Sequence, residues 1–399
     1  MTQPDTQAFK QYLLVTGNYW AFTLTDGALR MLVVLYFHQL GYNALSIALL
    51  FLFYEFFGVV TNLIGGWLGA RIGLNRTMNI GLGLQVMALL MLTLPTEYLS
   101  ILWVMAAQAL SGIAKDLNKM SAKSSIKSLL SSNAQGTLYK WIAILTGSKN
   151  ALKGVGFFMG GLLLNLLGFQ GAMWFMLFSL AAVLVSSLFL LQKDLGTAKN
   201  KPKFSEIFSK SRAINILSAA RMFLFASRDV WFVVALPVFM STQFEWEHWQ
   251  IGSFMAAWII AYGMVQSFAP KITGKKSGKT PDGVSALIWA AALGSIPALI
   301  ALNVNSQWFL LAGLALFGVI FAINSALHSY LIISYSRNEG TSLDVGFYYM
   351  ANAMGRLFGT VLSGAVFQAW GLEACLYISS AMILVTALIS IGLPREPVQ

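Results

Sequence analysis

The chain has 399 residues, of which 57% are hydrophobic and 10% are charged, and its mean hydropathy is +0.69. This composition excludes an ordinary soluble enzyme, and the single cysteine, Cys375, excludes a disulfide framework or a cysteine-rich metal site. Lys and Arg exceed Asp and Glu by 11, and in a membrane protein such an excess usually marks cytoplasmic loops instead of a nucleic-acid surface. We therefore expect a multi-pass protein surrounded by membrane lipid, without nucleic-acid partners, cofactors or metals.

Hydropathy divides the chain into twelve apolar segments, each long enough to cross a bilayer as a helix. Six lie in the first half, near residues 12–38, 44–70, 79–96, 99–122, 138–167 and 170–192. Six more lie in the second half, near residues 213–241, 248–270, 283–303, 307–334, 345–370 and 374–393. The sequence thus predicts an all-α protein of twelve transmembrane helices, with six-helix halves at 1–192 and 213–399. A hydrophilic, lysine-rich linker at 193–212 joins them.

The connections between the predicted spans alternate in charge. Lys and Arg occur near the N-terminus and in every second loop, as at Lys10, Arg71 and Arg337. The intervening loops contain no Lys or Arg and carry four acidic residues, Glu97, Glu245, Glu247 and Glu373. Because basic loops stay on the cytoplasmic side, both termini are predicted to be cytoplasmic.

A weak internal repeat relates the two halves. At an offset of 203 residues, Asp26 matches Asp229, Lys153 matches Arg356, and Gly168 matches Gly371. Chance can produce the glycine match, whereas an acidic and a basic pair at one shared offset favour a true repeat. Parallel repeats of six helices are typical of secondary transporters.

Charged residues occur within the predicted spans, where each costs about 2.5–3.5 kcal/mol on insertion scales. The third, sixth, ninth and twelfth spans contain none, which predicts that these four helices face lipid and the other eight line a cavity. Among the charged residues at membrane depth in those eight spans, basic residues outnumber acidic ones by eight to four. Such a lining is expected to attract a multiply charged anion.

The candidate site residues divide into three groups by expected role. Five are expected to clamp the anionic groups: Arg30, Lys149, Lys153, Arg228 and Arg356. A cytoplasmic-side funnel is assigned to Arg221, Lys115 and Lys119, with hydrogen bonds from Asn324, His328 and Asn352. Arg suits bidentate capture of phosphate or carboxylate, and Lys supplies an adaptable point charge.

Structural alternatives remain for several of these residues. Asp26 and Arg30, four residues apart, can neutralise each other, and Asn324 and His328 can form a packed polar pair. The stripe from Lys115 through Lys119 to Lys123 and Lys127 can serve as a positive-inside anchor, above all in its last two members. Arg228 and Asp229 are adjacent and point in different directions on a helix, which disfavours mutual pairing.

Three buried carboxylates are candidates for proton coupling: Asp26, Glu55 and Asp229. Glu55 has no basic residue near it in sequence. A desolvated carboxylate of this kind can carry a proton across the membrane.

Two motifs resemble those of the major facilitator superfamily. The run G-G-W-L-G-A-R-I-G-L-N-R at Gly65–Arg76 is similar to the superfamily's signature loop, but Ala70 occupies its acidic position. The run G-F-F-M-G-G at Gly156–Gly161 is similar to an antiporter motif, with Phe157 in place of proline. The resemblance implies twelve helices and rocking alternating access, while Ala70 argues against the usual gating salt bridge of the loop.

Three longer runs resemble the ArsJ-type permeases of bacterial arsenic operons: residues 18–33, 109–124 and 145–154. The resemblance implies a monomer in the bacterial inner membrane that exports 1-arseno-3-phosphoglycerate and so confers arsenate resistance. It also implies glyceraldehyde-3-phosphate dehydrogenase as the functional partner that makes this substrate from arsenate. The residues themselves indicate anion transport, and the family resemblance alone indicates that the anion contains arsenic.

Other functions fit the sequence less well. An organophosphate or phosphate exchanger of the same fold is the nearest alternative, because such carriers also place basic residues on the first and seventh spans. A membrane-embedded enzyme is disfavoured because no Ser or Cys lies at motif spacing from a base within the membrane. A non-transporting scaffold has no need of a costly basic interior.

Overall fold

The computed structural model describes residues 6–41, 50–130, 135–192, 211–233, 235–246, 248–273, 280–337 and 341–395. Within these ranges the chain forms eleven α-helices and one 3-10 turn at Thr96–Tyr98, and it contains no strand. The helices of the first part are α1 (Thr6–Gln39), α2 (Leu52–Ile72), α3 (Leu74–Met91), α4 (Ile101–Ser128) and α5 (Gln135–Leu190). Those of the second part are α6 (Arg212–Phe232), α7 (Ala235–Gln243), α8 (His248–Thr273), α9 (Gly283–Ala301), α10 (Gln307–Tyr335) and α11 (Thr341–Ser390). Most of the predicted linker, residues 193–210, lies outside the described ranges.

Each of the twelve predicted spans corresponds to a helical segment, which confirms the predicted fold. Helices α5 and α11 each contain two predicted spans, separated by kinks at Gly168 (φ 67°) and Gly371 (φ 75°). These two glycines are the pair that the sequence repeat matches. Only glycine adopts such angles without strain, so the chain can turn there sharply between two helical segments. The seventh predicted span is divided between α6 and α7.

Four of the described helices, α5, α9, α10 and α11, are long and apolar enough by composition to cross a membrane. Helices α4 and α6 are more polar because they carry charged residues of the candidate site in their central turns. Large apolar side chains lie exposed on several helices, for example Phe189 on α5 and Trp370 on α11. Side chains of this kind are expected where a surface faces lipid.

The described residues form two compact units. The first comprises Met1–Ala134, Ser148–Phe208 and Arg337–Met350, and the second comprises Gln135–Gly147, Ser209–Ser336 and Ala351–Gln399. In the first unit α4 packs against α1, α2 and α3. In the second unit α10 packs against α6, α8 and α9.

The core of the second unit is largely aromatic. Trp231 meets Trp258 and Phe317 edge to face, with ring centroids 6.2 and 5.1 Å apart. This is a preferred geometry for aromatic pairs and fixes α6 against α8 and α10. The core thereby sets the position of the neighbouring polar residues on α6 and α10.

In each unit the first long helix is crossed closely by a helix that carries a candidate cation. A Cβ on Gly156 of α5 would lie 2.7 Å from the carbonyl oxygen of Leu24 on α1. A Cβ on Gly359 of α11, at the matching repeat position, would lie 2.8 Å from the carbonyl oxygen of Ala226 on α6. Glycine permits these close backbone contacts. Lys153 and Arg356 lie one turn before the two glycines, on the helices that cross α1 and α6.

Candidate functional site

The candidate residues of the first unit converge on Tyr54 of α2. Its ring lies within cation–π distance of two cations, with Arg30 Cζ 4.7 Å and Lys115 Nζ 3.8 Å from the ring centroid. Its hydroxyl donates a hydrogen bond to Asp26 Oδ1 at 2.7 Å. Helix α4 can approach this closely because Gly112 lies against the Tyr54 backbone, where a Cβ would be 2.5 Å from the carbonyl oxygen. Tyr54 therefore connects α1, α2 and α4 through cation–π contacts and one hydrogen bond.

The ion pairs of the first unit join residues that are distant in sequence. Arg30 Nη2 lies 3.0 Å from Glu55 Oε1, and Lys115 Nζ lies 4.0 Å from Glu55 Oε2. Among the described contacts Arg30 forms its ion pair with Glu55 of α2, while Asp26, the alternative partner, lies within electrostatic range of the guanidinium. Glu55, which has no basic neighbour in sequence, thus has two in the fold.

Asp116 of α4 pairs with two lysines of its own helix. Its carboxylate is almost fully buried, 3.8 Å from Lys115 Nζ and in a close ion pair with Lys119. The partner one turn away neutralises a charge that burial would otherwise make costly. Lys115 and Lys119 are therefore bound to the carboxylates of the first unit as well as being candidates for substrate contact.

Lys149 and Lys153 lie on the segment of α5 that belongs to the first unit. Both are partly buried, and Lys153 Nζ lies 5.7 Å from the centroid of the Phe157 ring. Trp20 of α1 donates a hydrogen bond to Ser148 Oγ at 2.8 Å, which fixes this end of the segment against α1. Phe157, in the motif position expected for proline, thus lies within cation–π distance of a candidate lysine.

The second unit concentrates its charge around Asp229 of α6. Arg228 binds Asp229 Oδ1 through Nε at 2.6 Å and Nη2 at 2.5 Å, and Arg356 Nε lies 3.3 Å from Oδ2. The Asp229 side chain is 1% exposed, whereas Arg228 and Arg356 are 16% and 37% exposed. The expectation that Arg228 and Asp229 do not pair is wrong, because the long arginine side chain folds back onto its neighbour. Two guanidinium groups therefore share one buried carboxylate.

Arg221 lies about two turns before Arg228 and Asp229 on α6, and its side chain is buried. Its Nε donates to Asn352 Oδ1 at 2.9 Å and its Nη1 to the carbonyl oxygen of Ser325 at 3.2 Å. The Phe225 ring lies between the two arginines of α6, 3.9 Å from Arg221 Cζ and 5.0 Å from Arg228 Cζ. Sequence reasoning missed Phe225 and Tyr54, since aromatic residues are frequent in any apolar span.

His328 and Asn324 lie on the fully buried part of α10. Asn324 Nδ2 donates to the carbonyl oxygens of Trp289 at 2.8 Å and Ile320 at 3.1 Å. Neither ring nitrogen of His328 has a hydrogen-bond partner among the described residues. A buried polar group without a partner costs about 1–3 kcal/mol, which makes His328 a ready contact for a polar ligand.

The net charge of the candidate residues is the same in the two units. In the first unit five basic residues accompany three acidic ones, and in the second unit three accompany one. Each unit therefore has a formal excess of two positive charges among its candidate residues. No cluster of His, Cys, Asp or Glu suited to a metal ion occurs in the part of the chain that the structure describes.

Comparison with known proteins places the chain in a family. The family model of the major facilitator superfamily matches residues 15–281 and 217–399. The chain belongs to the major facilitator superfamily. It is therefore a multi-pass membrane protein and a secondary transporter of the general kind. None of the curated proteins matches the sequence.

Solved structures of facilitator transporters resemble the whole chain. The human organic anion transporter MFSD10 (TETRAN) has a TM-score of 0.72 at 17% identity, covering 96% of this chain and 98% of that chain. The Escherichia coli fucose:proton symporter FucP has a TM-score of 0.74 at 11% identity, covering 96% and 98%. The proton:xylose symporter XylE has a TM-score of 0.76 at 11% identity, covering 97% and 95%. At these identities the likeness shows the twelve-helix fold.

The signature loop of the superfamily is reduced here to one residue. Helix α2 ends at Ile72, and Gly73 (φ 99°) caps it with an N–H bond to the Gly69 carbonyl before α3 begins at Leu74. Ala70, in the acidic position of the motif, is buried against Leu343 of α11. The contact at this position is thus apolar, as the sequence departure predicted.

Proposed function

We propose that this facilitator transporter exports a small polyanion from the cytoplasm, and that its cargo is 1-arseno-3-phosphoglycerate. The observation that carries the anion assignment is the pair of arginines, Arg228 and Arg356, which share the single carboxylate of Asp229. A substrate phosphate or carboxylate can bind the same guanidinium groups with bidentate geometry. The arsenic assignment rests on the resemblance to ArsJ-type permeases.

The remaining candidate residues of each unit are of types that bind such a substrate. In the first unit Lys149 and Lys153 would hold an anionic group, and in the second unit His328 with Asn324 would bind a hydroxyl or ester oxygen. A facilitator fold of similar size, the human organic anion transporter, is described by its name as carrying organic anions. A ligand of this kind would be released readily, because lysines and shared arginines bind it without pairing every charge.

Asp229 is the best placed of the three candidates for proton coupling. Its protonation would release Arg228 and Arg356 for substrate, whereas Asp26 accepts a neutral hydroxyl and Glu55 is partly exposed. We place the protein in the bacterial inner membrane as a monomer, with both termini cytoplasmic. Glyceraldehyde-3-phosphate dehydrogenase would be its functional partner as the source of substrate.

Arsenate tolerance of a sensitive bacterial host tests this proposal. The host would express the chain with and without glyceraldehyde-3-phosphate dehydrogenase, and the Lys153→Ala and Arg356→Ala variants would be compared at matched membrane expression. We expect tolerance only when both proteins are present and its loss in both variants. A chain that reaches the membrane without changing tolerance would overturn the arsenic assignment.

A phosphate or organophosphate exchanger is the second candidate. It is favoured by basic residues on the first and seventh spans, Arg30 on α1 and Arg228 on α6. Counterflow in proteoliposomes separates the two functions. Exchange of external for internal inorganic phosphate by the purified chain would favour the exchanger, and its absence would favour export of the organoarsenical.

A further inference from the structure

A row of lysines runs along one face of α4 to its last turn. Lys115, Lys119, Lys123 and Lys127 are spaced four residues apart, so each lies about 6 Å beyond the last along the helix. Like charges at this spacing destabilise a helix unless other groups compensate them. The first two belong to the candidate site, whereas the last two lie beyond the predicted span on the side predicted to be cytoplasmic.

The last two lysines have more contacts than a positive-inside anchor requires. Lys123 is 4% exposed, its Nζ donates a hydrogen bond to the Tyr349 hydroxyl, and it lies 5.0 Å from the Tyr349 ring centroid. Burial lowers the pKa of Lys127 to about 8, although the Asp344 charge opposes that shift. A positive-inside anchor needs neither burial nor these partners, so the pair requires another explanation.

Tyr349 and Asp344 both come from the first turns of α11, which belong to the same unit as α4. The Asp344 side chain is 1% exposed and also accepts the Arg337 backbone N–H at 3.2 Å, with Arg337 Nη2 at 3.7 Å. Tyr349 additionally lies 4.5 Å from Lys119 Nζ. A phenol oxygen thus contacts Lys123, and the Asp344 carboxylate lies within electrostatic range of Lys127.

The same turns of α11 meet α2 through small and apolar residues. A Cβ on Gly66 would lie 2.3 Å from the Ser342 carbonyl oxygen, and a Cβ on Gly346 would lie 2.5 Å from the Asn62 carbonyl oxygen. Ala70 packs against Leu343. This close contact with α2 fixes the position of the turns of α11 that carry Asp344 and Tyr349.

We propose that Lys123 and Lys127 form a second oxyanion site, for the phosphate group of a small organic anion, which Asp344 and Tyr349 occupy in this structure. The site rests on the proposed function, because it would receive the transported anion before the lysine row passes it to Lys119 and Lys115. A phosphate dianion carries more charge than the Asp344 carboxylate or the neutral Tyr349 hydroxyl, and so competes with Asp344 for Lys127 and with Tyr349 for Lys123. Lysine suits such a transfer because its flexible, single-point contact releases the ligand more easily than an arginine fork does.

Equilibrium binding of labelled 3-phosphoglycerate, a stable phosphate-bearing probe, tests the site. The chain would be purified in nanodiscs of phosphatidylcholine, in an Arg356→Ala background that weakens the central site. We expect Asp344→Asn to tighten binding about tenfold, the factor that one charged hydrogen bond supplies. Lys123→Gln with Lys127→Gln should abolish that gain, and the exposed Lys140→Gln should leave it unchanged.

Tyr349→Phe provides a second test if Asp344→Asn does not fold. It removes the hydroxyl from Lys123 and keeps the ring, so we expect a smaller tightening of the same kind. If the chain without these substitutions binds 3-phosphoglycerate and none of the substitutions alters that binding, the second site is wrong and the proposed function stands. Absence of binding to the parent chain would overturn both.

Lipid headgroups also carry phosphate groups. A second set of nanodiscs tests whether the two lysines bind a soluble anion or a lipid headgroup. With phosphatidylglycerol added, a soluble-anion site should still bind 3-phosphoglycerate in the Asp344→Asn variant. Binding that phosphatidylglycerol displaces completely would assign the two lysines to a lipid headgroup and overturn their role in loading substrate.

Discussion

The two units carry the same formal charge excess but neutralise it differently. In the first unit, carboxylates and a tyrosine ring are distributed among lysines and one arginine, as at Glu55 and Tyr54. In the second unit, one buried carboxylate, Asp229, holds two arginines. Lysines on several partners form an adaptable surface, whereas arginines around one acid form a rigid fork. If the proposed function holds, we expect the first unit to guide the anion and the second unit to orient it.

The repeat makes this contrast direct, because Asp26 and Asp229 occupy matching positions. Asp26 accepts a hydrogen bond from Tyr54, and Asp229 pairs with Arg228 and Arg356. Equivalent acids thus have different partners. Their substitutions should differ accordingly.

Asp229→Asn should have the largest effect. Removing one partner of a buried ion pair leaves guanidinium groups uncompensated, and we expect a loss of about 3 kcal/mol in the free energy of unfolding. Thermal unfolding of the detergent-solubilised protein measures it. Asp26→Asn is the matched control and should cost about 1 kcal/mol, because it weakens a hydrogen bond from a neutral hydroxyl. Equal losses would contradict the contrast between the units.

Replacing the two kink glycines by alanine should lower the free energy of unfolding by a similar amount in both units. Gly168 and Gly371 have positive φ angles, and a Cβ added at either would meet no atom within 4 Å. The energetic cost of alanine is therefore confined to backbone strain. We expect Gly168→Ala and Gly371→Ala each to lose about 1–3 kcal/mol of stability. Thermal unfolding of each variant measures this, with Gly83→Ala, in a helix with open space around it, as the control. A loss in one kink variant alone would break the equivalence of the repeats.

Lysine in place of Arg228 should weaken transport more than arginine in place of Lys153. Arg228→Lys removes two-atom binding to Asp229 Oδ1 and to a substrate oxyanion, so we expect about a tenfold loss in transport efficiency. Lys153→Arg should change it less than about threefold, because the charge is kept at an adaptable position. Initial rates of anion uptake in proteoliposomes distinguish them. The reverse order would assign orientation of the substrate to the first unit.

Tyr54→Phe should have the smallest effect of the four. It removes the hydrogen bond to Asp26 but keeps the ring within cation–π distance of Arg30 and Lys115, for a loss of about 1 kcal/mol in unfolding free energy. Tyr54→Leu also removes both cation–π contacts and should lose about 1 kcal/mol more. Urea unfolding in detergent compares the two variants. Identical stabilities would show that the ring does not bind the cations.

The fold was predictable because a bilayer forces polar backbone groups into helices, and hydropathy follows from that constraint. The predicted breaks between spans near residues 168 and 371 coincide with the kinks at Gly168 and Gly371, which the repeat also pairs, although the sequence predicted no kink. Helix ends were less accurate. Helix α3 begins at Leu74, before the predicted 79, because Asn75 and Arg76 are polar but helical, and α4 continues to Ser128 because α11 covers Lys123.

The candidate site was predictable by residue type but not by partner. Sequence spacing compares residues on one helix, so it favoured Asp26 for Arg30, whereas the fold supplies Glu55 from α2. Nor does spacing describe a long side chain that folds back on its neighbour, as Arg228 does. The roles of the site residues in substrate binding stay predictions.

Everted membrane vesicles offer the most direct measurement of polyanion export, because their predicted cytoplasmic face is outside. The vesicles would receive glyceraldehyde-3-phosphate, NAD and labelled arsenate, with and without the dehydrogenase. We expect arsenic to accumulate inside only when the dehydrogenase is present, and not in vesicles that carry Arg356→Ala. Accumulation from arsenate alone, or none in the presence of the dehydrogenase, would contradict export of the organoarsenical.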